Sequence, residues 1–329
     1  MSRLALADAS RVLAFVLERG GTAHCHVTSA GVAGVGLATS AAKSAGEVLM
    51  SVPRTLWEPL SASAARSEMA SEIARAVDEQ VASIGASGSQ LADATLLAAL
   101  LARRVAEPTY APYLQQIPPP DVPLLWPAAL RAALLQGSSA ERAAAQQSHL
   151  AEALHATVSA NAASTPVAAP SFRWAQAVLL SRAHSGDGKP LALVPGLDLL
   201  NHGGADATAT VRFNDTSSAF ELVATRAHAA DEEVLIDYGT RSSHRLLRLY
   251  GFVNGGSHGE GGSASGLVPG EEVLLPLLPA APDAAEGAQG TQAAEVAEAH
   301  RQALRAMLAE YGMRGTPVLI GTRLDWNPF

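Results

Sequence analysis

The stretch that most limits how this chain can fold covers residues 191–253, LALVPGLDLLNHGGADATATVRFNDTSSAFELVATRAHAADEEVLIDYGTRSSHRLLRLYGFV. Short apolar runs alternate there with Pro, Gly, Asn and Asp, which dictates strands joined by tight turns. One apolar strand passes through Pro195 into a rigid LDLLNH turn, and a later strand runs out into DYG before a short helix that closes on YGF. Polar residues gather at these two strand ends: Asp198, Asn201 and His202 at one, Tyr238 at the other. Amide, imidazole and phenol groups can each fix a polar ligand by hydrogen bonds. Taken singly, Asp198 reads as the cap of an Asx-type turn and Tyr238 as a strand-end tyrosine with a satisfied hydroxyl. Only if the two ends meet do they make a site.

The rest of the chain narrows the function. At 329 residues it is long enough for two or three substructures. A net charge of −8 and a pI of about 5.7 argue against general nucleic-acid binding, which needs a basic face, and leave room for a local acidic surface that meets a basic protein tail. The single cysteine, Cys25, excludes an intramolecular disulfide framework and a cysteine-cluster zinc site. Without a run of about 18 apolar residues, no membrane span is expected. The first residues carry acids early and lack a small-residue cleavage site, so they read as an amphipathic helix and not as a leader. The expectation is a soluble, intracellular, monomeric protein, with chloroplast, cytoplasm and nucleus all open.

Along the chain, helical spacing over residues 4–18 puts Leu6, Val12, Leu13, Val16 and Leu17 on one face, and Gly20-Gly21 stops it. A strand at HCHV follows, then two strands around a turn at Ala45-Gly46, the second ended by Pro53. Residues 56–105 read as helical, with Asp93 as N-cap of ATLLAALLARRV, a run apolar enough to be buried on most faces. TYAPYLQQIPPPDVPLLW is too proline-punctuated for a regular element. Helices are expected over 139–158 and 172–183. After Val253 come a Gly/Ser-rich tract, the apolar EEVLLPLLP and a last helix near 295–311.

Three other motifs fail on context. Gly34-Val35-Gly36 resembles the start of a dinucleotide fingerprint, but a strand and not a helix follows it. Gly255-Gly256-Ser257-His258-Gly259 matches a nucleophile elbow, yet lies inside a glycine tract instead of a strand-to-helix turn. His24 and His26 would share one strand face, but no third metal ligand stands at useful spacing.

Four segments in order, SFRWAQAVLLSRA, LALVPGLDLLNH, FELVATRAHAADEEVLIDYG and SSHRLLRLYGFV, resemble the motifs of SET-domain protein methyltransferases. GVGLATSAAKSAGEVLMSVPRTLW resembles the opening of the same domain, and APYLQQIP a phrase of its helical insertion. The chain is most similar to the plant-type subgroup that includes rubisco large-subunit lysine methyltransferase, over residues 10–255. The resemblance implies an α+β fold of several small sheets with a pseudoknot, split by a large helical insertion. It implies a first SET half with its N-terminal helix at 1–57, the insertion at 58–170, the second half with the catalytic motifs at 171–255, and a linker with a short helical tail at 256–329.

The same resemblance implies S-adenosylmethionine as methyl donor and a protein substrate presenting a lysine, with histidine as the second acceptor. Tyr238 would stand at the transferring methyl and Tyr250 would border the acceptor channel, with Asp198 on the acceptor side. Arg182 would pair with the cofactor carboxylate through its forked donors. Asn201, His202 and the backbone around Ala33, Gly34 and Val35 would hold the cofactor. Departures from the family stand at Ala33, where an acid is usual, at His184, in place of an aromatic, and at Ser243, in place of an asparagine. A protonated His184 would repel a sulfonium. With only about one helix after the linkers, these departures motivate a second expectation, a SET-derived binding module without turnover.

Overall fold

The computed structural model describes residues 5–253, apart from 32–33, 85–88, 136–137, 163–165, 187–188, 240 and 242. Ala33, the glycine tract after Val253 and the expected helix near 295–311 lie outside the described residues.

Helix α1 (Leu6–Glu18) buries Ala9, Val12, Leu13, Phe15 and Val16, a three-to-four-residue spacing that lays one stripe on the core. Leu6 and Leu17, expected on that stripe, are each 48% exposed, so the buried face is turned toward Phe15. Gly20 ends the helix with φ +87°, and Gly21 lies so close beneath it that a Cβ would come within 2.4 Å of Val16 Cγ1. Strands β1 (Thr22–Ala23) and β2 (Cys25–Ser29) are separated by a bend at His24 that sends them to different sheets. His24 therefore does not share a strand face with His26, whose Nε2 stands 3.5 Å from Asp231. β3 (Val35–Thr39) and β4 (Val48–Pro53) follow, with Gly46 at φ +87° in the turn between them.

From α2 (Arg54–Trp57) the chain enters the helical insertion: α3 (Ala62–Glu68), α4 (Ser71–Ser83), α5 (Ser89–Arg104), α6 (Ala111–Leu114), α7 (Ala128–Leu135) and α8 (Ser139–Asn161). α5 is its centre and packs on α3, α4 and the following α9 (Ala169–Arg182). Leu96, Leu97, Leu100 and Leu101 are all buried, as expected for a helix apolar all round. Asp93 is not the N-cap expected of it. The helix starts a turn earlier, and Asp93 lies inside it, paired at 2.5 Å with Arg66, which also holds Asp78. The proline-rich stretch is not wholly irregular either. Pro112 sits in the first turn of α6, where a missing N–H leaves no bond unmade.

The second half holds the hairpin β5 (Ala183–Gly186) and β6 (Lys189–Leu193), then β7 (Asn201–His202), β8 (Ala209–Asn214), β9 (Ala219–Ala224), β10 (Glu233–Ile236) and α10 (Ser243–Tyr250). Each larger sheet mixes strands from both halves, in the orders β1-β4-β9-β8 and β2-β3-β10-β7. One apolar cluster runs from α1 through α5 and α9 to β6 and β9. The decisive pairing is β10 with β7, parallel, with Leu235 opposite Asn201 and Ile236 opposite His202. It lays the LDLLNH turn beside the DYG strand end.

Candidate active site

Tyr238 leaves β10 next to its partner strand, and three contacts fix it. Its backbone N–H donates to His202 Nδ1 at 3.1 Å, its ring stacks on the His202 imidazole at 5.0 Å, and its hydroxyl donates to the Leu200 carbonyl at 2.5 Å. Tyr250, at the end of α10, closes the other side with its ring centroid 4.6 Å from that of Tyr238. Arg241 Nε donates to the Tyr238 carbonyl at 2.9 Å. The expectation of a satisfied hydroxyl holds for Tyr238, but its partner is the backbone of the facing turn. The two strand ends do meet.

Behind this ring pair lies a cavity of about 180 Å³, lined among others by Ser181, Arg182, His184, Asp198, Tyr238 and Tyr250. Its floor is charged. Arg182, the last residue of α9, donates through Nη1 to the Asp198 carbonyl at 2.5 Å, while its Nε is buried with no hydrogen-bond partner among the described residues. Asp198 does not cap an Asx-type turn, which would bond forward along the chain. Its Oδ1 instead accepts from the Gly196 N–H behind it, at 2.8 Å, and holds Gly196 at φ +86°. Burial pushes the Asp198 carboxyl above the usual carboxylate range, and the Arg182 guanidinium offsets part of that rise.

Beneath Asp198 is a residue that sequence reasoning passed over. Tyr113, from α6, is fully buried and stacks on Phe15 at 5.6 Å. Burial raises its phenol well above the ordinary value, the nearby Asp198 carboxylate adds to that rise, and the Tyr113 hydroxyl in turn lowers the Asp198 carboxyl as a hydrogen-bonding neighbour. The signal lay in the APYLQQIP phrase, but a contact between the insertion and the LDLLNH turn is not readable from local pattern.

Protonation at the site follows from burial. His202 is held below the ordinary imidazole value by desolvation, with Asp237 opposing, so it is neutral near pH 7. With Nδ1 accepting from Tyr238, the proton of the neutral ring sits on Nε2. His184 is pushed down to about 4 by burial, so the charge repulsion raised by its sequence disappears at neutral pH. Burial raises the Tyr238 phenol well above its ordinary value, and Tyr250 is raised for the same reason, with Arg241 offsetting part.

Asn201 is joined to the Val35 backbone, but neither these two nor Gly34 and His202 are among the residues that line the cavity. Asn201 Nδ2 donates to the Val35 carbonyl at 3.1 Å and to Glu233 Oε1 at 2.9 Å, tying β7, β3 and β10. Gly36 leaves room for this: a Cβ there would stand 2.7 Å from both Asn201 Nδ2 and Glu233 Oε1. Gly34 takes φ +93°. Glu233, Leu200 and Arg241 complete the arrangement and were not singled out from the sequence. Among the described residues, no group of three or more His, Cys, Asp or Glu side chains is placed to hold a metal ion. Nor is any helix among them long and apolar enough to cross a membrane.

No protein-family model matches the chain, and no curated protein sequence does. Solved structures match it by fold. The SET domain of LSMT bound to lysine and AdoHcy superposes with a TM-score of 0.60 at 22% identity, covering 75% of this chain and 58% of that one. Rubisco LSMT bound to sinefungin and monomethyllysine gives a TM-score of 0.59 at 23% identity over 75% and 57%. Rubisco LSMT bound to AdoMet gives 0.61 at 20% identity over 78% and 57%. The chain thus spans less than three-fifths of the length of the structures it matches. The fold is that of the SET domain: small sheets mixed from two halves, split by a helical insertion.

Proposed function

We propose that this SET-domain fold carries out S-adenosylmethionine-dependent methylation of a protein, with a lysine amine as acceptor. The observation that carries the reading is the Tyr238 phenol, locked between the His202 and Tyr250 rings by the Leu200 carbonyl, over a cavity floored by Arg182 and Asp198. The solved structures of like fold were bound to AdoMet, AdoHcy or methylated lysine, which supports the same donor and acceptor here.

The residues fit such a cofactor. Arg182 presents a buried Nε with no partner among the described residues and a fork of donors suited to a carboxylate. His202 supports the cavity through its stacking on Tyr238, whereas Asn201, Gly34 and Val35 do not line it; Ala33, expected to join them, is outside the described residues. When bound, the cofactor supplies an electrophilic methyl on a sulfonium leaving group, so the protein's task is alignment and exclusion of water.

The chain's residues meet that task in sequence. Tyr238 donates its proton to Leu200, which leaves the phenol oxygen able to accept from an acceptor amine. Tyr250 borders the same space, with Asp198 on the acceptor side. A lysine amine must be neutral to attack. Burial against the aromatic walls disfavours its ammonium form, so its proton leaves to solvent before transfer. A neutral His184 adds no opposing charge.

The test is transfer of an isotope-labelled methyl from S-adenosylmethionine into a cell extract, followed by mass spectrometry of the labelled residue. Label on lysine with wild type, and none with Tyr238→Phe, is the expected result. Equal labelling by both would remove Tyr238 from catalysis, and label on histidine would change the acceptor. Absence of any thermal stabilisation by saturating S-adenosylmethionine would overturn the cofactor assignment.

A further inference from the structure

Tyr113 is wholly buried, yet it does not line the cavity behind Tyr238. Its ring needs no hydroxyl where it lies. Phe15 stacks on it at 5.6 Å, and a phenylalanine in α6 would fill that space equally well. The oxygen is the part that needs a reason, because a buried phenol without a polar partner is costly.

Asp198 supplies that reason. It is 6% exposed, and its two carboxyl oxygens stand in different company. Oδ1 accepts from the Gly196 N–H, in a turn packed so closely on α1 that a Cβ at Gly196 would lie 3.3 Å from Val16 Cγ2. Oδ2 has no bond of normal geometry among the described residues, nor does the Tyr113 hydroxyl, and the two are hydrogen-bonding neighbours. Phe15 and Val16, adjacent on α1, thus support the two groups that flank the carboxyl. Arg182 of α9 faces Asp198 from the cavity side, where the other titratable groups are His184, Asp237, Tyr238, Arg241 and Tyr250.

Resting on the methyl-transfer reading of this cavity, we infer that Tyr113 is a positioning residue of the acceptor site, its hydroxyl serving Asp198 Oδ2 as donor and holding the carboxyl where it can accept an N–H of the incoming amine. An ionised carboxylate offers that amine lone pairs only, whereas a protonated one adds a competing O–H. Tyr113 works on the side of the carboxylate, against the rise that burial imposes. Burial also keeps the Tyr113 proton on its oxygen well beyond neutral pH, so it remains a donor. The insertion thereby takes part in the site without touching the substrate.

The first readout is the titration of Asp198 itself, followed by carboxyl NMR of the whole chain labelled with carbon-13 aspartate and assigned by the resonance missing from Asp198→Asn. Tyr113→Phe should move that midpoint up by about one pH unit. Methyl transfer to the protein labelled in extracts should fall about tenfold in kcat/KM, with S-adenosylmethionine affinity unchanged in calorimetry. In an Asp198→Asn background, Tyr113→Phe should cost no further activity. An unmoved Asp198 midpoint would overturn the inference. So would an equal loss of activity in the Asp198→Asn background, which would leave the phenol a packing group alone. If the wild type transfers no methyl, the reading of the cavity fails by itself, and the Asp198 midpoint still decides whether Tyr113 holds that carboxyl.

Discussion

The Tyr238 N–H and the His202 Nδ1 are joined by a 3.1 Å hydrogen bond while their rings stack at 5.0 Å, so each fixes both the position and the tautomer or orientation of the other. This pair ties the DYG strand end to the LDLLNH turn. Most of what the site can do depends on it.

Removing the Tyr238 hydroxyl leaves that pair intact and deletes only the bond to Leu200. Tyr238→Phe should therefore lower stability by no more than about 1 kcal/mol in urea unfolding. Methyl transfer should fall on the order of 10²-fold or more, the usual loss when one oriented polar group leaves a reacting centre. A large stability loss alongside the activity loss would make the hydroxyl structural instead.

Arg182→Lys keeps the charge but loses the fork. Cofactor affinity measured by calorimetry should weaken by roughly 10–100-fold, since hydrogen bonds to charged groups contribute about 1.5–3 kcal/mol. Unchanged affinity would remove Arg182 from the cofactor site.

Gly36→Ala should be destabilising by about 1–3 kcal/mol, because its Cβ would stand 2.7 Å from Asn201 Nδ2 and Glu233 Oε1. The damage should reach the site, since those atoms tie β3, β7 and β10 together. Chemical denaturation reports the first effect and cofactor titration the second.

His184 gives stability a sign with pH. Its value falls from 6.5 to about 4 on folding, so the unfolded chain binds the proton more readily. Stability is fully present above pH 6.5 and is lost as the pH drops from there through about 4. The loss amounts to at most about 3 kcal/mol, and less where solvent reaches the ring. Melting temperatures across this window should fall for wild type and fall less for His184→Phe; parallel curves would mean the imidazole is not buried.

The rate of methylation should rise with pH as the acceptor amine loses its proton. It should show no falling limb from Tyr238 up to about pH 10, because burial holds that phenol above its ordinary value. Initial rates on the protein labelled in extracts would show either shape.

Much of the site could be read from the chain because it is built at strand ends. Apolar runs broken by Pro195, Asn201 and Asp237 locate those ends without knowing their partners, and the α9 pattern places Arg182 at a helix terminus. What stayed hidden depends on contacts across the chain or on backbone atoms. The Leu200 carbonyl that holds Tyr238 has no residue signature, and the Glu233 carboxylate that takes Asn201 looked like one more acid in ADEEV. Tyr113 reaches Asp198 from the insertion. The Asp93 and Asp198 readings failed for one reason. Local rules assign a carboxylate to its nearest N–H ahead, and here an arginine from α3 and a turn behind took them instead.

The β7–β10 pairing spans only two residues on each strand and is parallel, so no hairpin can form it. Asn201 and His202 cannot find their partners until the chain through Ile236 has been synthesised. A nascent chain on the ribosome can already carry α5 and its leucines, but it cannot yet own a pocket. Formation of the Tyr238–His202 contact is thus expected among the last and slowest events of folding, as pairings distant in sequence are.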